Sequence, residues 1–220
     1  MTAKSTKGVQ ICVVKGGATG VNLGDITALT TAKPAVISVA DTTGVAVGDV
    51  IQIPAGATGT SLDGKPFIVG VVAANSTDLT LLGSDTTNNT FIAAPAVDVI
   101  GHPSTDMECL CFASLAFNAE AAQTVSVATF CDPTASIPGA VVGAGTLDFT
   151  GFVDVTTTEY VELLAMEADG AARTWRITLP GNGYIVFPGT LATFGWDIPL
   201  DGAVGYTGTI ALGSKPRHLF

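Results

Sequence analysis

The stretch GTLDFTGFVDVTTTEYVELLAMEADG (residues 145–170) holds two periodicities side by side. In its first part Leu147, Phe149, Val153 and Val155 alternate with Thr146, Asp148, Thr150 and Asp154, with Phe152 on the polar side. A period of two belongs to a strand with one covered face and one polar face. This predicts a strand over 145–155. Further on, Tyr160, Leu163, Leu164 and Ala168 recur at helical spacing. Thr156 with Glu159 fits a capping box, Val155 with Tyr160 a hydrophobic staple, and Gly170 a helix stop. The expected helix covers 157–169 and packs on a sheet through Tyr160, Leu163 and Leu164. Its acids, Glu159, Glu162, Glu167 and Asp169, are expected in solvent.

On either side of this stretch, apolar runs are short and separated by Gly, Pro, Asn and Asp, which is an all-β pattern. Strands are expected over 8–14, 34–39, 50–54, 67–72 and 79–82 in the N-terminal half. Others are expected over 108–118, 124–130, 173–179, 184–187, 191–196 and 203–212. Asp63-Gly64 marks a hairpin-like turn, since that pair favours positive φ. The texture changes near Ile26 and again near Ser104. Three parts follow: residues 1–25 open the main domain, 26–102 form a small β-module, and 103–220 form the main β-domain. The fold class is mostly β, an antiparallel sandwich or barrel. One α-helix is set against its edge or outside, and the module lies in the N-terminal half. The tail, Lys215 to Phe220, is expected to be extended and to reach a neighbour.

Composition bears on function. Charged residues make up 13% of the chain, about half of the ~25% usual for a globular domain. Hydrophobic residues make up 47%, so a sizeable core can form. A surface so poor in charge suggests that neighbours cover much of it. The net charge of −10 argues against gripping nucleic acid, which needs Lys and Arg against phosphate. From Phe67 to Ala172 there are thirteen acids and no Lys or Arg, so these acids are expected to lack local neutralisation. The polar stretch from Met1 to Gly8 has no apolar leader. Cys12, Cys109, Cys111 and Cys131 are therefore expected as free thiols in a reducing cytosol. The uncharged window Ile177 to Trp196 is broken by Pro180, Pro188 and four glycines, which fits strands and turns and not a membrane span.

No sequence signature of catalysis stands out. His102 and His218 lack sequence-near partners. There is no nucleophile elbow, zinc-protease, Cys-x-x-Cys or phosphate-loop pattern. Cys109 and Cys111 with His102 do not fit a common zinc spacing. The expectation is a protein that is not an enzyme and uses no cofactor and no metal.

The order of segments resembles the tail tube, or major tail, proteins of long-tailed bacteriophages. The resemblance rests on LAFNAEAAQTVSVATF (115–130), LDFTGFV (147–153), RTWRITLPG (173–181) and GYTGTIAL (205–212). TALTTAKPAV (27–36) with GDVI (48–51) is similar to a small β-module found near the N-terminus of such proteins. The chain departs from tube proteins with a C-terminal immunoglobulin-like decoration by stopping soon after its last strand. The resemblance implies a virion structural protein assembled in the host cytoplasm into stacked hexameric rings around a DNA channel. Its partners would be further copies of itself and the terminator, tape measure and distal tail proteins. DNA would pass without specific binding. The candidate lumen-facing acids are Asp148, Asp154, Glu108 and Glu120, with Asp148 the best because alternation turns it from the core. A capsid decoration or other virion surface protein is the alternative, and a secreted carbohydrate-binding β-module a more distant one.

Overall fold

Seventeen strands and one α-helix follow one another along the chain in a computed structural model describing residues 9–74, 77–92, 97–118, 124–126, 136–138, 144–181 and 183–219. Strand β1 (Gln10–Val14) comes first. Seven short strands follow: β2 (Val21–Asn22), β3 (Ala28–Leu29), β4 (Ala35–Ser38), β5 (Val50–Gln52), β6 (Pro66–Val72), β7 (Asp78–Leu81) and β8 (Ile100–His102). Then come β9 (Met107–Leu110), β10 (Ser114–Asn118), β11 (Thr124–Ser126), β12 (Ser136–Pro138) and β13 (Thr146–Phe152). Helix α1 (Thr158–Asp169) precedes β14 (Arg173–Leu179), β15 (Gly183–Asp197), β16 (Gly205–Leu212) and β17 (Arg217–Leu219).

The strands form two large antiparallel sheets. The main one is eight-stranded, in the order β10-β13-β16-β15-β14-β1-β9, with β17 also paired to β15. The second is seven-stranded, in the order β2-β8-β5-β6-β7-β4-β3. It lies wholly between β1 and β9 in sequence, spanning Val21 to His102, so its first strand precedes the texture change at Ile26. A separate ladder pairs β11 with β12, Thr124 facing Pro138. The remainder of the strand expected over 124–130 lies outside the described residues.

Alternation decides what each face of the main sheet covers. Ile11 and Val13 of β1, Trp175 and Ile177 of β14, and Ile185 and Phe187 of β15 join the core under α1. Cys12, Val14 and Val186 point the other way and pack with Val50 and Ile68 of the second sheet, together with Met107 and Leu219. The helix and the second sheet thus cover opposite faces of one sheet. Of the two expected placements, edge or outside, the helix takes the outside: α1 lies on a face of the main sheet, buried through Tyr160, Leu163 and Met166. The second sheet has its own core, including Ile37, Ile51, Phe67 and Leu79.

Two aromatic rings of the helix-side core lie over glycines on the facing strand. Phe149 pairs with Gly208 and Tyr206 with Gly151. A Cβ on Gly208 would come within 2.3 Å of the Phe149 ring, and one on Gly151 within 2.2 Å of Tyr206. Both glycines are needed for this close approach.

The helix starts one residue later than the capping-box reading. Thr157 is the N-cap, its hydroxyl accepting from the Tyr160 amide at 3.4 Å. Thr156 instead belongs to a turn held by Asp154, whose carboxylate accepts from the Thr156 amide at 3.0 Å and hydroxyl at 2.6 Å. Glu159 does not reach back; it accepts from the Cys111 amide at 3.1 Å. Val155 is exposed, so the expected staple does not form. Gly170 ends the helix in the left-handed region, φ 59°, donating to the Met166 carbonyl.

Two further expectations are corrected. The tail does not reach outward: β17 pairs with β15, Tyr184 facing Leu219, and Leu219 is buried against the second sheet. Cys12 and Cys109 face each other across β1 and β9 and form a disulfide, so they are not free thiols. This crosslink closes the base of the inserted second sheet. Cys111 is free and exposed, and Cys131 lies outside the described residues.

Candidate assembly surfaces

Asp148 sits mid-strand in β13, between Ala116 of β10 and Thr209 of β16. Its neighbours Leu147 and Phe149 are buried under the helix, so its carboxylate points to the opposite face. There it accepts from the Thr209 hydroxyl at 2.7 Å and the Asn118 amide at 2.6 Å. Ser114 and Thr150 share a hydrogen bond of 2.7 Å on the same face. This part of the sheet presents small and polar side chains in rows: Ser114, Ala116 and Asn118, then Thr146, Asp148 and Thr150, then Thr207, Thr209 and Ala211.

The other candidate acids are placed differently. Asp154 lies beyond the end of β13, in the exposed turn before α1. The Thr156 hydroxyl and amide bonded to it hold its carboxyl below the ordinary value. Glu108 is on edge strand β9 and turns toward α1. It accepts from the Thr158 hydroxyl at 2.5 Å and lies 3.7 Å from the Lys15 ammonium. Glu120 lies outside the described residues. Asp148, Asp154 and Glu108 therefore do not form one cluster.

The acids of α1 are not simply solvated. Arg173, at the start of β14 and buried, pairs with both Glu162 and Asp169. Glu162 also accepts from the Gly16 amide at 2.8 Å. Asp169 is held below its ordinary value by the Ala171 amide and then by Arg173. Basic residues from outside this acidic stretch neutralise part of it once the chain folds: Lys15 meets Glu108, Lys33 meets Asp85, and Arg173 meets Glu162 and Asp169.

A second arginine joins the two sheets. Arg176, buried on the face opposite Arg173, donates to the Gly48 carbonyl at 2.6 Å. Asp49 beside it accepts from the Ala46 and Ser104 amides at 2.8 and 3.1 Å. Burial pushes the Asp49 carboxyl up despite these bonds. Arg217 lies over the Phe67 ring, 4.1 Å from its centroid, and donates to the Gly83 carbonyl at 3.1 Å. His102 is buried with its Nδ1 3.9 Å from Asp106, and burial lowers its pKa.

Among the described residues, several large apolar side chains are exposed at the end of the main sheet where β13 and β15 finish and β16 begins. Phe152, Gly205 and Asp197 are register partners there. Phe152 is 67% exposed, Trp196 53%, Ile198 74% and Leu200 104%. Trp196 is anchored by its indole N–H donating to the Tyr160 hydroxyl at 2.7 Å. The sequence signal was present in Asp197-Ile198-Pro199-Leu200-Asp201, a turn segment with two large aliphatic residues that no strand claims. By register Trp196 lies on the helix face and Phe152 on the opposite one, so the exposed apolar side chains gather on both faces of this end of the sheet and make it a candidate interaction surface.

At the opposite end of the same strands is an apolar pocket of about 280 Å³, lined by Phe117, Asn118, Ala144, Ile185, Leu212, Pro216 and His218. A larger groove of about 540 Å³ runs between the two sheets past Lys15, His102 and Arg173. Its Lys15 and Arg173 are already engaged by carboxylates.

Among the described residues no group of three or more His, Cys, Asp or Glu is arranged to hold a metal ion, and no helix is long and apolar enough to cross a membrane. No protein-family model matches the sequence, and comparison with curated proteins gives no significant match.

Proposed function

We propose that this chain is a structural subunit that assembles with copies of itself, and specifically a major tail tube subunit of a long-tailed phage. The observation that carries this reading is the main sheet, open at both edges. β9 and β10 end it with no further strand beside them among the described residues. An edge strand offers unpaired amides and carbonyls to another chain, and joining sheets around a ring removes that liability. The scarcity of surface charge and the bare apolar end of the sheet support the same reading.

In such a ring the small, polar face around Asp148 would line the channel. Carboxylates repeated around a narrow lumen focus a negative potential that keeps DNA phosphate from sticking. Tail terminator, tape measure and distal tail proteins would meet the tube at its ends. Negative-stain microscopy and sedimentation of the purified chain test the reading. Six-membered rings or tubes are expected. A chain that stays monomeric at every concentration overturns the proposal. Closed particles that never stack would move it toward a virion surface protein.

A further inference from the structure

We infer that the Asp197–Asp201 turn of one copy seats in the Phe117–Leu212 pocket of the next, giving a head-to-tail contact along the direction of β16. This rests on the assembly reading for its occupant, a second copy of the chain, and names the contact that reading leaves open.

The two surfaces lie at opposite ends of one strand. β16 begins at Gly205, beside the turn, and ends at Leu212, in the pocket wall. Eight extended residues separate the two by roughly 25 Å, so a chain cannot fill its own pocket with its own turn. Contact between unlike surfaces is heterologous, and it propagates as a ring or a stack.

The chemistry of the two ends is complementary. The turn offers Ile198 and Leu200 with no cover, flanked by the exposed carboxylates Asp197 and Asp201. The pocket offers the side chains of Phe117, Ala144, Ile185 and Leu212, with His218 in its wall. Next to Pro216, which lines the pocket, is exposed Lys215, whose ammonium has no carboxylate partner among the described residues. The size also fits, since about 280 Å³ accommodates one or two aliphatic side chains. Burying apolar side chains supplies the attraction, while the Asp and Lys groups at the rim select orientation.

The experiment uses the full chain. Leu200→Asp changes a side chain that touches nothing in the free subunit, so its melting temperature is expected to match wild type. The concentration for half-assembly, read by sedimentation, is expected to rise at least about tenfold. In a background with Cys111 and Cys131 changed to Ser, Leu200→Cys and Ala144→Cys variants are mixed and treated with a short bis-maleimide. Covalent dimers are expected from the mixture and not from either variant alone. Assembled protein that gives no mixed crosslink, or Leu200→Asp protein that assembles at the wild-type concentration, overturns this contact and leaves the assembly reading standing. A wild-type chain that never assembles removes both.

Discussion

Arg173 is the residue on which the charge balance of the helix depends, and its removal gives a measurable prediction. Its side chain is buried, Glu162 beside it is 16% exposed and Asp169 is 43% exposed. These exposures divide the effect. An exposed ion pair contributes about 0–1 kcal/mol, so the Asp169 contact matters little. Removing one partner of a buried pair costs about 3–5 kcal/mol, because the remaining charge is left without compensation. Arg173→Met keeps most of the apolar stem and strands Glu162. For a chain of this size a loss of that order lowers the melting temperature by roughly 6–20 °C. The second arm of the cycle is Arg173→Met with Glu162→Gln. Gln keeps an oxygen to accept from the Gly16 amide, now at 2.8 Å from Glu162, but carries no charge. The double variant is expected to recover about 1–3 kcal/mol relative to Arg173→Met alone. Thermal melts followed by circular dichroism, and urea titrations, read both arms. A double variant whose loss equals the sum of the single losses would refute the reasoning, since additive effects mean the two groups do not act on each other.

Leu163→Ala is expected to destabilise by about 3–5 kcal/mol, and Leu164→Ala by clearly less, since Leu163 is wholly buried and Leu164 only partly. Equal losses in urea titrations would mean that the helix is rolled relative to the sheet. Stability is also expected to fall as pH drops below about 6.5, because burial lowers the His102 pKa in the folded chain. In that window the unfolded state binds a proton that the folded state does not. His102→Asn should flatten this slope between pH 7.5 and 5.5, and an unchanged slope would assign it to other groups. On the proposed tube reading, Asp148→Lys is expected to leave tubes forming while DNA ejection slows, with relief at high salt, because a ring of ammonium groups would hold phosphate. Normal ejection from particles verified to carry the variant would remove Asp148 from the lumen.

Local periodicity was enough to determine several things about this chain. The alternation around Leu147, Asp148 and Phe149 identifies a strand and turns Asp148 away from the core, because successive side chains point to opposite faces. Gly170 ends the helix because glycine enters the left-handed region at little cost. The short apolar runs and their turn residues fix a mostly β fold. Tertiary structure decided the rest. Thr157 and not Thr156 caps the helix because Asp154 captures Thr156 first, a competition between two local patterns that are equally good in sequence. Met166 completes the buried stripe while Ala168 is exposed, because the orientation of α1 is set by the sheet beneath it. Arg173 neutralises acids four and eleven residues before it, and Lys15 reaches Glu108 only because β1 and β9 pair. The same pairing joins Cys12 to Cys109 across 97 residues. The physical reason is common to these cases. Spacing along a chain reports the state of the local backbone, whereas which face is covered and which charge is met depends on segments brought together from far apart.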